Sequence, residues 1–182
     1  MKKRQPGRTK SASSKTSELS WVEMHERARS VRDSAHAPYS RFHVGACIEV
    51  EDGALFSGCN VENASYGATV CAERNAIFQA VANGHRQIRR VLVCTEGEPL
   101  AMPCALCLQV MSEFASPSLE VAVASPNSVE RVLRFSELLP HPFAGIGVGG
   151  KVNAVSSRDK RRGANGRSNV GLKAQTRRRR PK

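Results

Sequence analysis

At 182 residues the chain suits one domain of common size with length left over for tails, and its basic N-terminus lacks the apolar segment of a secretory signal. No run approaches eighteen apolar residues, so no membrane-spanning helix is expected. The formal charge of +12 sits at the ends: residues 1–17 hold six basic residues and no acid, and 148–182 hold twelve against Asp159 alone. Ten Arg/Lys against fifteen Asp/Glu make the stretch between them mildly acidic.

Lacking hydrophobic periodicity, 1–17 and 149–182 are expected to be basic, disordered tails around a domain at 18–148. Ser20–Ala35 reads as a helix with Trp21, Met24, Ala28 and Val31 on one face. Ser20 suits its N-cap, with Glu23 completing a capping box, and Pro38 ends it. Phe42–Val50 and Ala54–Asn60 read as a hairpin about Glu51-Asp52-Gly53. A helix over Val70–Ala82, with Thr69 as N-cap, closes on Asn83-Gly84. Arg89–Thr95 reads as a strand, Cys104 to about Phe114 as a helix, and Leu119–Ala124 and Val129–Phe135 as strands. This order predicts an α/β fold of three layers, α-β-α, around a five-stranded mixed sheet. Strands three and four should be parallel, joined by a right-handed crossover.

Six cysteines invite a disulfide reading. Cys47 and Cys94, however, lie in apolar runs, and Cys59 ends a strand-like segment, so all three are expected to pack as small hydrophobes. A reduced, cytoplasmic chain follows from that and from the missing export signal.

The other three cysteines carry the chemistry. Cys71-Ala72-Glu73 and Pro103-Cys104-Ala105-Leu106-Cys107 supply three thiols and one spare carboxylate. Structural zinc sites are closed by four protein ligands, whereas catalytic ones keep a position open for water. Three cysteines beside a glutamate therefore read as an open Zn²⁺ site with a proton carrier, Glu73, next to it. Cys104 and Cys107 share a helix face, with Pro103 suited to the first turn, and both thiol sources sit where helix N-termini favour negative charge. Three thiolates on Zn²⁺ leave a net −1, which Arg74 is placed to offset by bonding a cysteine sulfur. Cys71 and Glu73, two apart, would point to opposite sides of a regular helix, so the site must lie over the helix end. A closed structural site completed by His43 or His85 is the alternative, and it leaves Glu73 without a purpose.

Motifs in order along about Trp21 to Phe143 resemble the small, homotetrameric cytidine deaminase family. They are Pro38-Tyr39-Ser40-Arg41-Phe42-His43-Val44-Gly45-Ala46, Gly58-Cys59-Asn60-Val61-Glu62-Asn63-Ala64-Ser65-Tyr66-Gly67, and Cys71-Ala72-Glu73-Arg74. Pro103-Cys104-x-x-Cys107-x-Gln109-Val110 and Leu138-Leu139-Pro140-x-x-Phe143 complete the series. The resemblance implies zinc-dependent hydrolysis of cytidine and 2′-deoxycytidine to the uracil nucleoside and ammonia, in pyrimidine salvage. Glu73 would take the water proton, protonate N3 and then deliver a proton to the exocyclic amine. Asn60 and Glu62, with Val61 between them, would bind ribose hydroxyls, Phe42 would pack on the nucleoside, and Phe143 would close a neighbouring subunit's site. Ala105 and Leu108 depart from the family's usual Gly and Arg, and Leu108 leaves Arg74 with more of the neutralising role.

Three other readings stand beside this one. A blasticidin S-type deaminase shares the zinc motif, but Arg74 and the Asn60–Glu62 pair favour a ribonucleoside. Nucleic-acid deamination is kept in view by the arginine-rich ends, whose phosphate contacts would be salt-dependent and blind to sequence. From a different class comes a zinc-stabilised nucleic-acid-binding module acting through its basic tails.

Overall fold

The computed structural model describes residues 12–97 and 99–143, with side chains from residue 21 except that of residue 98. The basic segments 1–11 and 149–182 lie outside the described residues. Helix α1 spans Ala12–Arg32, followed by β1 (Gly45–Val50), β2 (Leu55–Cys59), α2 (Ala72–Ala82) and β3 (Ile88–Cys94). Then come α3 (Ala105–Phe114), β4 (Ala115–Ala124), β5 (Val129–Arg134) and a short α4 (Phe135–Leu138).

Five strands form one sheet in the order β2-β1-β3-β4-β5. All neighbours are antiparallel except β3 and β4, which run parallel, as the α3 crossover requires. The central strands carry apolar stretches, Val91–Cys94 in β3 and Val121–Ala124 in β4, where both faces are covered. Ile48, Val91, Val93 and Val121 point toward α2 and α3, where they meet Ala76, Ile77 and Met111. Cys47, Leu92, Cys94, Ala122 and Ala124 point the other way, toward Met24 and Ala28 of α1. Large side chains with no exposure, such as Met24, Ile48, Ile77, Leu92 and Met111, contribute on the order of 1.5–3 kcal/mol each. The predicted three-layer α/β fold is the one observed, and Cys47 and Cys94 are core residues. Cys59 is half-buried, and its thiol donates to the Ser34 carbonyl at 3.5 Å.

Two glycines let the helices press onto the sheet. A Cβ at Gly45 would lie 1.9 Å from the Ala28 carbonyl oxygen of α1. One at Gly58 would lie 2.6 Å from the Ala76 nitrogen and 2.7 Å from the Ala72 oxygen. The first turn of α2 therefore rests directly on β2, which fixes where Cys71 and Glu73 emerge.

Three local expectations need correction. Helix α1 starts at Ala12, so Ala12–Ser17 are helical rather than tail, and Ser20 lies inside the helix instead of capping it. Once Trp21–Val31 is held by packing, extending the helix backward adds a hydrogen bond per residue without a new nucleus. Glu23 pairs with Arg27 one turn on, at 2.9 Å. Phe42, His43 and Val44 precede β1, after Arg41 takes a left-handed conformation, φ 58°, that turns the chain. Helix α4 had no periodic signal, being a single turn.

Candidate metal centre and active site

Both metal-binding segments begin their helices in the same way. Cys71 is the N-cap of α2 and Cys104 the N-cap of α3, so Thr69 is not the cap and Pro103 precedes the first turn. An N-cap residue has extended rather than helical backbone, and Cys71 has φ −71°, ψ 157°. The two-apart objection to Cys71 and Glu73 thereby lapses, since Cys71 stands outside the regular helix.

The three thiols converge. Cys71 Sγ lies 3.8 Å from Cys104 Sγ, which lies 3.5 Å from Cys107 Sγ, and all three atoms fall within 4.8 Å of one another. Sulfurs at about 2.3 Å from a tetrahedral zinc stand about 3.8 Å apart, so the trio fits that ion. No His, Asp or Glu among the described residues joins the group, so neither His43 nor His85 completes a fourth corner. His85 instead faces Asp52 and the Phe56 ring, and the His43 carbonyl accepts from Arg32 Nε. Cys104 is exposed, Cys71 half-buried and Cys107 buried, so the cluster opens on one side.

Electrostatics around the sulfurs follow from these contacts. A hydrogen bond from Cys107, with others from Arg74 and Cys104, brings the Cys71 thiol down to about 5. Cys107, which keeps the shared proton and is desolvated, is pushed up. Arg74 Nη2 donates to Cys71 Sγ at 3.5 Å and to the Thr69 carbonyl at 3.0 Å, the sulfur contact expected of it. Its Nε is buried without a hydrogen-bond partner among the described residues. Glu73 is 4 % exposed, and desolvation, reinforced by charge on Cys71, raises its carboxyl above the usual carboxylate range.

The other expected site residues form a second group in front of α2. Val61 exchanges backbone hydrogen bonds with Val70 at 2.9 and 3.0 Å, tying Asn60-Val61-Glu62 to the residue before Cys71. His36 completes the ladder on the far side, accepting from Glu62 N and donating to the Asn60 carbonyl. Asn60 is buried, its Oδ1 accepting from Val44 N and its Nδ2 donating to the Phe42 carbonyl, each at 2.8 Å. Glu62 accepts from Tyr39 N at 2.9 Å, from Ser40 N at 3.2 Å and from the Ser40 hydroxyl. These bonds, the hydroxyl's above all, hold its carboxyl below the ordinary value.

Ser40 was missed as a site residue by sequence reasoning. Its Oγ also accepts from Phe42 N at 3.0 Å, so one hydroxyl couples Glu62 to the Phe42 loop. Tyr39, Ser40, Glu62, Tyr66 and Thr69 line a cleft of about 420 Å³, in which Tyr39 and Tyr66 meet edge to face. Phe42 and Val61 are partly exposed, and Phe143 is 70 % exposed, held by its backbone to Gln109.

With this geometry in hand, comparison with known proteins is decisive. A family model described as the cytidine and deoxycytidylate deaminase zinc-binding region matches residues 20–123. The chain belongs to this family. The cytidine deaminase of Sporosarcina psychrophila is 38% identical over 117 residues, 64% of this chain and 86% of that one. That of Halalkalibacterium halodurans is 40% identical over 112 residues, covering 62% and 85%. The crystal structure of cytidine deaminase from Burkholderia pseudomallei shares 44% identity at a TM-score of 0.64, over 67% of this chain and 98% of that one. These relatives are matched along nearly their whole length, while roughly a third of this chain lies outside the match. Zn²⁺ is the ion this region takes, and the thiol trio is the donor set that suits it.

Proposed function

We propose that this chain catalyses the hydrolytic deamination of cytidine and 2′-deoxycytidine to uridine or deoxyuridine and ammonia, in cytoplasmic pyrimidine salvage. The observation that carries the reading is a buried carboxyl, Glu73, two residues past an N-cap thiol in a three-sulfur cluster. Cys71, Cys104 and Cys107 would hold Zn²⁺, which when bound supplies the Lewis acidity that makes water a nucleophile near neutral pH. Glu73 takes a proton from the attacking water and places it on N3 as the oxygen adds to C4. It then carries a second proton to the exocyclic nitrogen, which leaves as ammonia. Desolvation suits Glu73 to both directions of transfer, because raising its pKa above the usual carboxylate range makes the carboxylate a stronger base that can also return the proton. Arg74 offsets the negative charge of the thiolates through its bond to Cys71.

Asn60, Val61 and Glu62 hold the ribose side. Asn60 spends one N–H on Phe42 and keeps the other for a hydroxyl, and Glu62 is kept ionised as an acceptor by Ser40. Phe42 packs on the nucleoside. In a homotetramer, Phe143 of one subunit closes the site of the next, a reading supported by its exposed ring.

Ammonia release by the purified protein, with cytidine, deoxycytidine and blasticidin S side by side and zinc quantified, tests this directly. Turnover of both nucleosides at about one zinc per chain is expected. Full activity without metal, or turnover of blasticidin S alone, would overturn the reading.

A second reading concerns the ends. Charge runs such as Arg177-Arg178-Arg179-Arg180 favour salt-dependent contact with nucleic-acid phosphate, independent of sequence. Deleting 1–11 and 149–182 should leave cytidine turnover intact while abolishing retention on single-stranded oligonucleotide at low salt. Unchanged retention after the deletion would overturn this second reading.

A further inference from the structure

Phe143 is held by side-chain chemistry rather than by secondary structure. Past Leu139, whose N–H bonds the Phe135 carbonyl, the chain carries Pro140 and Pro142, neither of which has an N–H to donate. Among the described residues, the hydrogen bonds that reach 140–143 both come from Gln109 of α3. Its Nε2 donates to the Phe143 carbonyl at 2.8 Å, and its Oε1 accepts from the Phe143 N–H at 3.2 Å. One side-chain amide thus pairs with one backbone residue on both sides, as a strand partner would.

The clamp is itself fixed. Gln109 Nε2 also donates to Ser112 Oγ at 3.1 Å, and the Ser112 hydroxyl donates to the Gln109 carbonyl at 2.7 Å. Both N–H groups and the oxygen of the amide are therefore used, which leaves it a single orientation. Gln109 stands two residues beyond Cys107 on the same helix, so the helix that carries two thiols also sets the position of the exposed Phe143 ring.

We infer that Gln109 is a positioning residue that clamps Phe143 of its own subunit in place to cover the substrate site of a neighbouring copy. The inference rests on the reading of Phe143 proposed above. A ring that closes over substrate gains affinity only if its backbone is already ordered, because otherwise binding must offset the entropy of ordering it. Gln109 does that ordering in advance, and substrate entering one subunit depends on α3 of another.

Gln109→Met keeps side-chain length and helix propensity while removing both hydrogen bonds. Zinc content should be unchanged. The Phe143 amide should exchange with solvent faster, a readout independent of turnover. KM for cytidine should rise roughly ten-fold, the equivalent of one to two ordinary hydrogen bonds, with a smaller change in kcat. Mixed oligomers with Glu73→Gln subunits, which have lost nearly all turnover but carry an intact clamp, should restore low KM at the Gln109→Met sites. Unchanged exchange at Phe143, an unchanged KM, or a KM that stays high in the mixed oligomers would each overturn the inference. A wild-type protein that does not deaminate cytidine at all would instead refute the proposed function, and faster exchange at Phe143 would still report the clamp.

Discussion

The first turns of α2 and α3 are nearly the same object built twice. Each opens on a cysteine N-cap, with φ −71°, ψ 157° at Cys71 and φ −70°, ψ 162° at Cys104, and neither side chain caps its helix. Each continues with alanine, Ala72 and Ala105. They part at the next two positions: Glu73 then Arg74 in α2, Leu106 then Cys107 in α3. Burial separates them further, since Ala72 is inaccessible and Glu73 4 % exposed, whereas Ala105 is exposed and Leu106 is 65 % exposed. The cause is Gly58, which lets the start of α2 lie on β2. One backbone geometry supplies a sulfur ligand in both places. Contact with the sheet decides which helix can hold a carboxyl out of water, and that desolvation is the main cause that raises the Glu73 pKa.

The largest effect should come from the position where α3 contributes what α2 does not. Cys107→Ala removes the one buried thiol of the three, and zinc content and deamination should both fall to background, as read by metal analysis and ammonia release. Retention of a full zinc equivalent would mean that two thiols suffice and that α3 need not supply the second of its pair. Next comes Glu73→Gln, which should keep zinc and lose about 10²–10⁴-fold in kcat. Adding Leu106→Glu to that variant should restore nothing, because the matching position on α3 faces solvent. Any recovery would mean that the two helix starts are interchangeable. In the wild type, activity should fall with acid as Glu73 takes up a proton. Because burial raises this pKa, the fall should begin above the usual carboxylate range, and a pH–rate profile reads it directly. Arg74→Gln comes third: losing the donor to Cys71 should cost about 10–100-fold in zinc affinity or turnover. An Arg74→Gln protein indistinguishable from wild type would reduce that arginine to a solvated helix residue.

How much of this was legible in the sequence depended on the range of the interaction. Cys104 and Cys107 were legible as a pair because three-residue spacing is local geometry, although Cys104 is the extended N-cap of α3 rather than part of its face. The apolar runs holding Cys47 and Cys94 gave the central strands, and the α3 connection gave the parallel β3–β4 pair. Caps were less legible: Thr69 and Ser20 are good capping types, yet metal-site convergence placed Cys71 at the helix start and α1 simply continued past Ser20. Least legible were contacts that join distant segments through one polar side chain. Ser40 to Glu62, Asn60 to the Phe42 loop and Gln109 to Phe143 have no periodicity, and each side chain taken alone suits an ordinary surface position. Leu108 shows the same limit from the other side. Read as a lost charge beside a ligand, it proves to be a buried member of the core with Met111 and Val121.

The smallest effect is also the finest measure of the difference between the two turns. Ala105→Gly should leave deamination unchanged and cost about 0.5 kcal/mol or less in denaturant unfolding. Helix-interior Gly costs roughly 0.5–1 kcal/mol through lost backbone entropy, and the first helical position feels only part of that. Ala72→Gly carries the same entropy term and also removes a buried methyl, about 0.8 kcal/mol more, from the turn that rests on β2. The gap between the two substitutions therefore isolates burial from backbone, since the N-cap geometry they follow is the same. If Ala105→Gly proved as costly as Ala72→Gly, the first turn of α3 would have to be covered in the assembled protein. The exposure of Leu106 would then belong to the single chain alone.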